Sequence, residues 1–97
     1  LNYPNPFSNF TRFSFEHNRP NEIIDVLIQV FSVSGKLVKT LSSEIINSGF
    51  RDDSIVWDGF DDFGDKLGKG VYIYRVTLKS KNDGSKAEKF EKLVILQ

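Results

Sequence analysis

The 97-residue chain contains no cysteine and no methionine, and it has only one tryptophan, one histidine, three prolines and a single alanine, Ala87. Without cysteine there is neither a disulfide framework nor a thiolate metal site, so packing alone must hold the fold, and the redox compartment stays open. Without methionine, a chain that begins at Leu1 reads as a piece of a longer polypeptide, with any signal peptide lying upstream. One alanine beside nine phenylalanines turns the composition away from helices and toward pleated, half-buried surfaces. No apolar run approaches the roughly 20 residues of a bilayer-spanning helix. Net charge is missing too. Thirteen Lys and Arg balance thirteen Asp and Glu, which removes the basic field that bulk binding of nucleic acid or an anionic membrane requires. The charges are nonetheless segregated, with Asp52, Asp53, Asp58, Asp61, Asp62 and Asp65 in the middle and Lys79, Lys81, Lys86, Lys89 and Lys92 near the end. The length suits one domain, since single cores are commonly built from about 100 to 150 residues.

Catalytic machinery is equally scarce. The lone His17 stands beside Asn18 among turn formers, and a solvated turn histidine needs none of the geometry that a Ser-His-Asp or metal site would demand of it. Asp58, Asp61, Asp62 and Asp65 bring hard oxygen ligands close together. They lack the alternate spacing, central glycine and terminal glutamate of an EF-hand loop, and aspartates of this kind cap turns through their own backbone. Paired carboxylates for glycoside hydrolysis would need a deep cleft that a small sandwich has little room for. Trp57 reads as the plug between two sheets, with Tyr72 and Tyr74 beside it, in preference to an exposed sugar-stacking platform. We therefore expect no catalytic residue, no metal site and no cofactor.

Alternation gives the strands. Over Thr11-Arg12-Phe13-Ser14-Phe15-Glu16 the two phenylalanines fall on one face, and Asn18-Arg19-Pro20-Asn21 interrupts them with a turn. From Ile23 to Ser32, Val26, Ile28 and Val30 share one face, with Leu27, Gln29 and Phe31 opposite. Ser34-Gly35 predicts a hairpin turn into an extended segment at 36–41. Residues 42–49 fit a short edge strand or a helical turn, and 54–57 a short strand that stops at Asp58-Gly59. A glycine-rich connection follows. Residues 71–78 form the strongest strand, with Tyr72, Tyr74, Val76 and Leu78 inward and Arg75 and Thr77 outward. Asn82-Asp83-Gly84-Ser85 predicts the last hairpin. The final strand, about 86–96, is charged at first and apolar from Leu93, as for an edge strand whose end is buried and whose free edge can pair with a partner. Six or seven strands at this spacing predict an all-β, two-sheet antiparallel sandwich. Pro4 and Pro6 remove two backbone donors and read as a stiff linker meeting a domain.

Five short motifs punctuate this pattern: Tyr3-Pro4-Asn5-Pro6-Phe7, Val30-Phe31-Ser32-Val33-Ser34-Gly35-Lys36-Leu37-Val38, Trp57-Asp58-Gly59 with Gly64 after it, Gly70-Val71-Tyr72-Ile73-Tyr74-Arg75, and Lys92-Leu93-Val94-Ile95. With these motifs in this order the chain resembles, over nearly all of its length, the type A C-terminal sorting domain of the Bacteroidetes type IX secretion system. That family is similar to the Ig-like domain of flagellar hook-capping proteins, which shares the Asn-Pro-Phe start, the strand-Gly-Lys turn and the Trp-Asp-Gly corner. The chain is longer than most cargo signals, and Phe15-Glu16-His17-Asn18 and residues 57–74 look most like the corresponding domain of the system's own sortase.

The resemblance implies a single Ig-like domain over residues 1–97. It also implies export of the parent protein to the periplasm and passage through an outer-membrane translocon to the outer membrane or cell surface. Cargo of this family is often cleaved and attached to surface lipopolysaccharide; a domain of the sortase kind would instead be a retained anchor that binds an outer-membrane shuttle protein (PorV-like). The family's Pro-Asn-Pro, Gly-x-Tyr and terminal Lys-x-Val patterns fall on Pro4, Asn5 and Pro6, on Gly70 and Tyr72, and on Lys92, Leu93, Val94 and Ile95, which are the expected partner-binding residues. The resemblance is compatible with a peptidase or sortase as the upstream parent, while the domain itself is expected to be non-catalytic. The competing readings are a structural Ig-like spacer or assembly module of a surface or hook-capping protein, and a carbohydrate-binding accessory domain.

Overall fold

The computed structural model describes residues 1–16, 22–46 and 51–96; His17 and the turn expected at 18–21 lie outside them. Among the described residues there are seven strands: β1 (Asn2–Tyr3), β2 (Thr11–Glu16), β3 (Ile23–Ser32), β4 (Leu37–Ile46), β5 (Arg51–Trp57), β6 (Gly70–Ser80) and β7 (Lys86–Ile95). They form a three-stranded sheet in the order β1-β2-β5 and a four-stranded sheet in the order β4-β3-β6-β7, every neighbouring pair antiparallel. The expected two-sheet antiparallel sandwich is what forms.

The period-two pattern decides which side of each strand is covered. Ile24, Val26, Ile28 and Val30 are buried along β3 while the residues between them stay half-exposed. On β6, Tyr74 and Val76 point inward, and on β7 so do Leu93 and Ile95. The opposite sheet contributes Phe13 from β2 and Trp57 from β5. Trp57, 2% exposed, lies with its ring centroid 5.8 Å from Phe7 and 6.5 Å from Phe13, and Phe13 meets Tyr74 edge-on at 5.0 Å. The plug role holds, with the phenylalanines as its ring partners; Tyr74 joins through Phe13, and Tyr72 packs against the cluster only partly buried. The indole Nε1 donates to the Phe60 carbonyl at 2.9 Å, so burying the ring leaves no orphaned donor.

Three elements differ from the sequence pattern. Residues 42–46 continue β4, because β3 offers partners along its whole length, from Phe31 opposite Leu37 to Ile23 opposite Ile46. No local signal reports that support. Strand β5 starts earlier, at Arg51, paired with Glu16 of β2. The N-terminal residues are not a linker: Asn2 and Tyr3 pair with Phe13 and Arg12 as β1.

Candidate functional site

Beyond β1 the chain crosses from one sheet to the other within four residues, with both the Tyr3–Pro4 and Asn5–Pro6 peptide bonds cis. Phe7 then lies parallel to the last strand, bridged to Ile95. Prolines cannot donate to a ladder, and here the Asn5 side chain supplies what they lack. Its Nδ2 donates to the Lys92 carbonyl at 3.2 Å and its Oδ1 accepts from Val94 N at 3.0 Å, so one amide side chain stands in for a backbone residue. Phe7 N donates to the Val94 carbonyl at 3.0 Å, and Leu96 N donates to the Phe7 carbonyl at 2.8 Å. The Thr11 hydroxyl fixes the crossing by donating to the Pro4 carbonyl at 2.8 Å while accepting from Asn2 Nδ2 at 3.1 Å.

This clasp corrects two expectations. The outer edge of β7 from Lys92 onward is bonded within the domain, so it is closed to strand addition by a partner; and Pro4-Asn5-Pro6 belongs to the fold instead of leading into it. The clasp also explains why four of the five motifs meet. Gly70 stands opposite Ile95 and Tyr72 opposite Leu93, with the Tyr72 hydroxyl donating to the Gly68 carbonyl at 2.8 Å. Gly59 takes a φ of 81°, which a residue with a side chain rarely adopts, and a Cβ there would come 3.4 Å from the Phe7 ring. Asp58 holds this corner by accepting from Phe60 N at 3.1 Å.

Of the nine expected partner-binding residues, the corner gathers all. Leu93 and Ile95 are buried in the core, and in the folded domain their side chains position the strand. Asn5, Pro6 and Lys92 are exposed, while Pro4, Gly70, Tyr72 and Val94 are partly covered. Sequence reasoning missed Asn2, Thr11 and Phe7 as the clasp's supports. Phe7 could have been picked out as the apolar residue closing the Pro-Asn-Pro run; nothing in the sequence marks Thr11.

The aspartate loop behaves as its turn chemistry predicts. Asp61 Oδ1 accepts from Phe63 N and Asp65 N, both at 2.9 Å, and Asp62 Oδ1 accepts from Thr40 N at 3.3 Å while lying 3.5 Å from Lys39 Nζ. Among the described residues no group of three or more acidic or histidine side chains is placed to hold a metal.

One titrating pair sits beside the clasp. The Tyr74 hydroxyl donates to Glu91 Oε2 at 2.9 Å, and burial together with this carboxylate pushes the phenol well above its ordinary value of 10.0. Because Tyr74 binds its proton more tightly when folded, its share of stability is complete below the unfolded value and is lost as pH rises past it. Between about pH 9 and about pH 12 the melting temperature of the wild type should therefore fall more steeply than that of Tyr74→Phe. Parallel slopes in a thermal scan would remove Tyr74 from the alkaline transition.

Comparison with known proteins places the corner in context. The family model described as "Secretion system C-terminal sorting domain" matches residues 2–95. No curated protein sequence matches the chain. Among solved structures, the chain is similar to the crystal structure of dimeric latent PorU from Porphyromonas gingivalis, at 26% identity and a TM-score of 0.84, covering 99% of this chain and 9% of that one. It is also similar to FlgD from Xanthomonas campestris, whose structure is described as giving insights into the hook capping essential for flagellar assembly, at 20% identity and a TM-score of 0.66, covering 93% of this chain and 60% of that one; that likeness bears on the fold alone. The chain thus spans a small part of the first relative and under two thirds of the second. With its motifs in order, its Ig-like sandwich formed and the family model matched from the first strand to the last, the chain belongs to the secretion system C-terminal sorting domain family.

Proposed function

We propose that this domain delivers its parent protein to the outer membrane or cell surface by presenting the clasped corner to an outer-membrane shuttle or translocon protein of the PorV kind. Membership of the family over residues 2–95 makes the domain a type IX sorting signal for that destination, and the finer reading rests on the exposed Asn5, Pro6 and Lys92 that the clasp brings to one corner. Its partner-facing members are the exposed Asn5, Pro6 and Lys92 and the partly covered Pro4, Gly70, Tyr72 and Val94; Leu93 and Ile95 act from inside by fixing the strand. The role is one of recognition, and the chemistry of the parent belongs to other parts of that protein.

Deleting residues 93–97 would be a poor test, because Leu93 and Ile95 are core residues and the domain would unfold. Lys92→Glu reverses one exposed charge without touching the core. In the full parent protein it should reduce surface delivery by about tenfold, the scale of one well-placed interfacial charge, with the passenger accumulating in the periplasm. Unchanged surface delivery of that variant would remove Lys92 from the recognition face. The likeness to the PorU domain over 99% of this chain favours a retained anchor over a removed signal, so mass spectrometry of the surface-exposed parent should still find peptides from residues 2–95. The alternative, a structural spacer, draws on the FlgD-like fold and predicts normal delivery after the domain is deleted.

A further inference from the structure

The outward face of the four-stranded sheet is divided along its length. At the clasp end, strand register sets Leu37, Phe31, Ile73 and Lys92 side by side in one row, with Val71 and Val94 paired next to them. One step down, Gln29, Arg75 and Phe90 are neighbours. Alternation turns all of these away from the core, because Val30, Tyr74 and Leu93 beside them point inward. The strip is therefore solvent-facing: Leu37, Val71 and Phe90 are 44%, 42% and 56% exposed. Contiguous apolar surface of this kind on a small soluble domain marks an interaction site, whereas scattered exposed residues do not.

Charge follows the same division. The rows at the clasp end hold no carboxylate. Lys92 borders the strip, and Arg75 lies within it, its guanidinium bonded to Gln29 Oε1 and 5.8 Å from the Phe90 ring centroid. Lys36 and Lys69, both exposed, directly precede Leu37 and Gly70. At the far end the carboxylates of Asp25 and Glu44 are already occupied by Lys81 Nζ, at 3.8 and 2.7 Å. The sheet edges at the clasp end are closed as well, β7 by Asn5 and Phe7 and β4 by Asp62, whose backbone N donates to the Val38 carbonyl at 3.1 Å. A partner arriving there meets the face of the sheet.

We propose that this strip is a docking face for a folded protein of the secretion machinery whose own surface is apolar with an acidic border. The proposal rests on the sorting reading above and extends the recognition surface from the clasp to Leu37, Phe31, Ile73, Val71 and Phe90. Lys36, Lys69 and Lys92, which have no ion-pair partner among the described residues, select the occupant: a second copy of this chain would set one cationic border against another, which opposes association, while an acidic rim would match it and quicken encounter.

The test uses the full parent protein in cells with an intact type IX system. Leu37→Glu/Val71→Glu alters two exposed side chains, so the domain should melt as the wild type does, while surface delivery falls about thirtyfold, the scale of losing central apolar contacts. Ser42→Glu, on the same face toward the end where Asp25, Glu44, Lys79 and Lys86 share one row, should deliver normally. Deleting the domain separates the two readings. Delivery that continues without residues 1–97 overturns the sorting reading and this one with it; delivery that needs the domain yet persists in Leu37→Glu/Val71→Glu overturns the docking face alone. A photo-reactive benzoylphenylalanine in place of Phe90 gives a readout that does not depend on the glutamate variants folding. Crosslinking to an identified component of the secretion machinery supports the proposal, and crosslinking only to a second copy, only to lipid, or to nothing overturns it.

Discussion

Trp57→Ala should lower the stability of the domain by about 3–5 kcal/mol, the range for removing a large buried aromatic. Trp57 is almost fully enclosed, it touches the rings of Phe7 and Phe13, and no neighbouring segment is free to fill its place, because one ring belongs to the clasp and the other to β2. A domain of ordinary stability has about 5–15 kcal/mol in all, so the variant should be substantially unfolded in mild urea. Trp57→Phe separates two contributions. It keeps most of the packing and leaves the Phe60 carbonyl without its indole donor, for a smaller loss of about 1–3 kcal/mol. Equilibrium urea unfolding followed by circular dichroism measures both, and a loss below about 1 kcal/mol for Trp57→Ala would contradict its place as the plug between the sheets.

Phe7→Ala should have an effect of similar size, about 3–5 kcal/mol, with a different consequence. Phe7 is the side chain that anchors the N-terminal crossing in the core, and its backbone closes the end of β7 through Val94 and Leu96. Without the ring the crossing has only its polar bonds, and the last strand regains an open edge, which invites pairing between chains. The amides of Val94 and Leu96, protected in the wild type, should exchange with solvent far faster in Phe7→Ala and with intermediate speed in Asn5→Ala, where about 1–2 kcal/mol is lost with the paired amide bonds. Retained protection of both amides in Phe7→Ala would mean that the polar bonds suffice to hold the clasp. Since Phe7 and Trp57 are in contact, their losses should not add, and a double-mutant cycle should return a coupling of about 0.5–1.5 kcal/mol.

Much of this was legible in the residues. Strands β2, β3 and β6 follow from alternation because each has one face in the core and a second that is more open to solvent, the condition under which a period of two is visible. Strand β1 was not, since two residues between Leu1 and Pro4 carry no period. The second half of β4 was ambiguous because Ser42, Ser43 and Glu44 lie where the strand is exposed, and their conformation is set by β3 across the sheet. The candidate site divides in the same way. Its members could be named from the motifs, but their roles could not: whether Asn5 is a recognition residue or a structural clasp depends on a bond to Lys92 that spans 87 positions. The apolar strip is distributed over four strands, one or two residues from each, so every strand on its own shows only an ordinary half-covered outer face. Register alone assembles it.

The clasp ties the order of synthesis to the finished shape. Its bonds join residues separated by 87 and 89 positions, and contacts of such span are the slowest kind for a chain to find. As the polypeptide grows, residues 2–7 are made first and must wait for 92–96 before the corner can close. A chain interrupted anywhere between them has the early motifs and lacks the surface they build. A partner that recognises this junction, as proposed above, would thereby distinguish complete domains from truncated ones.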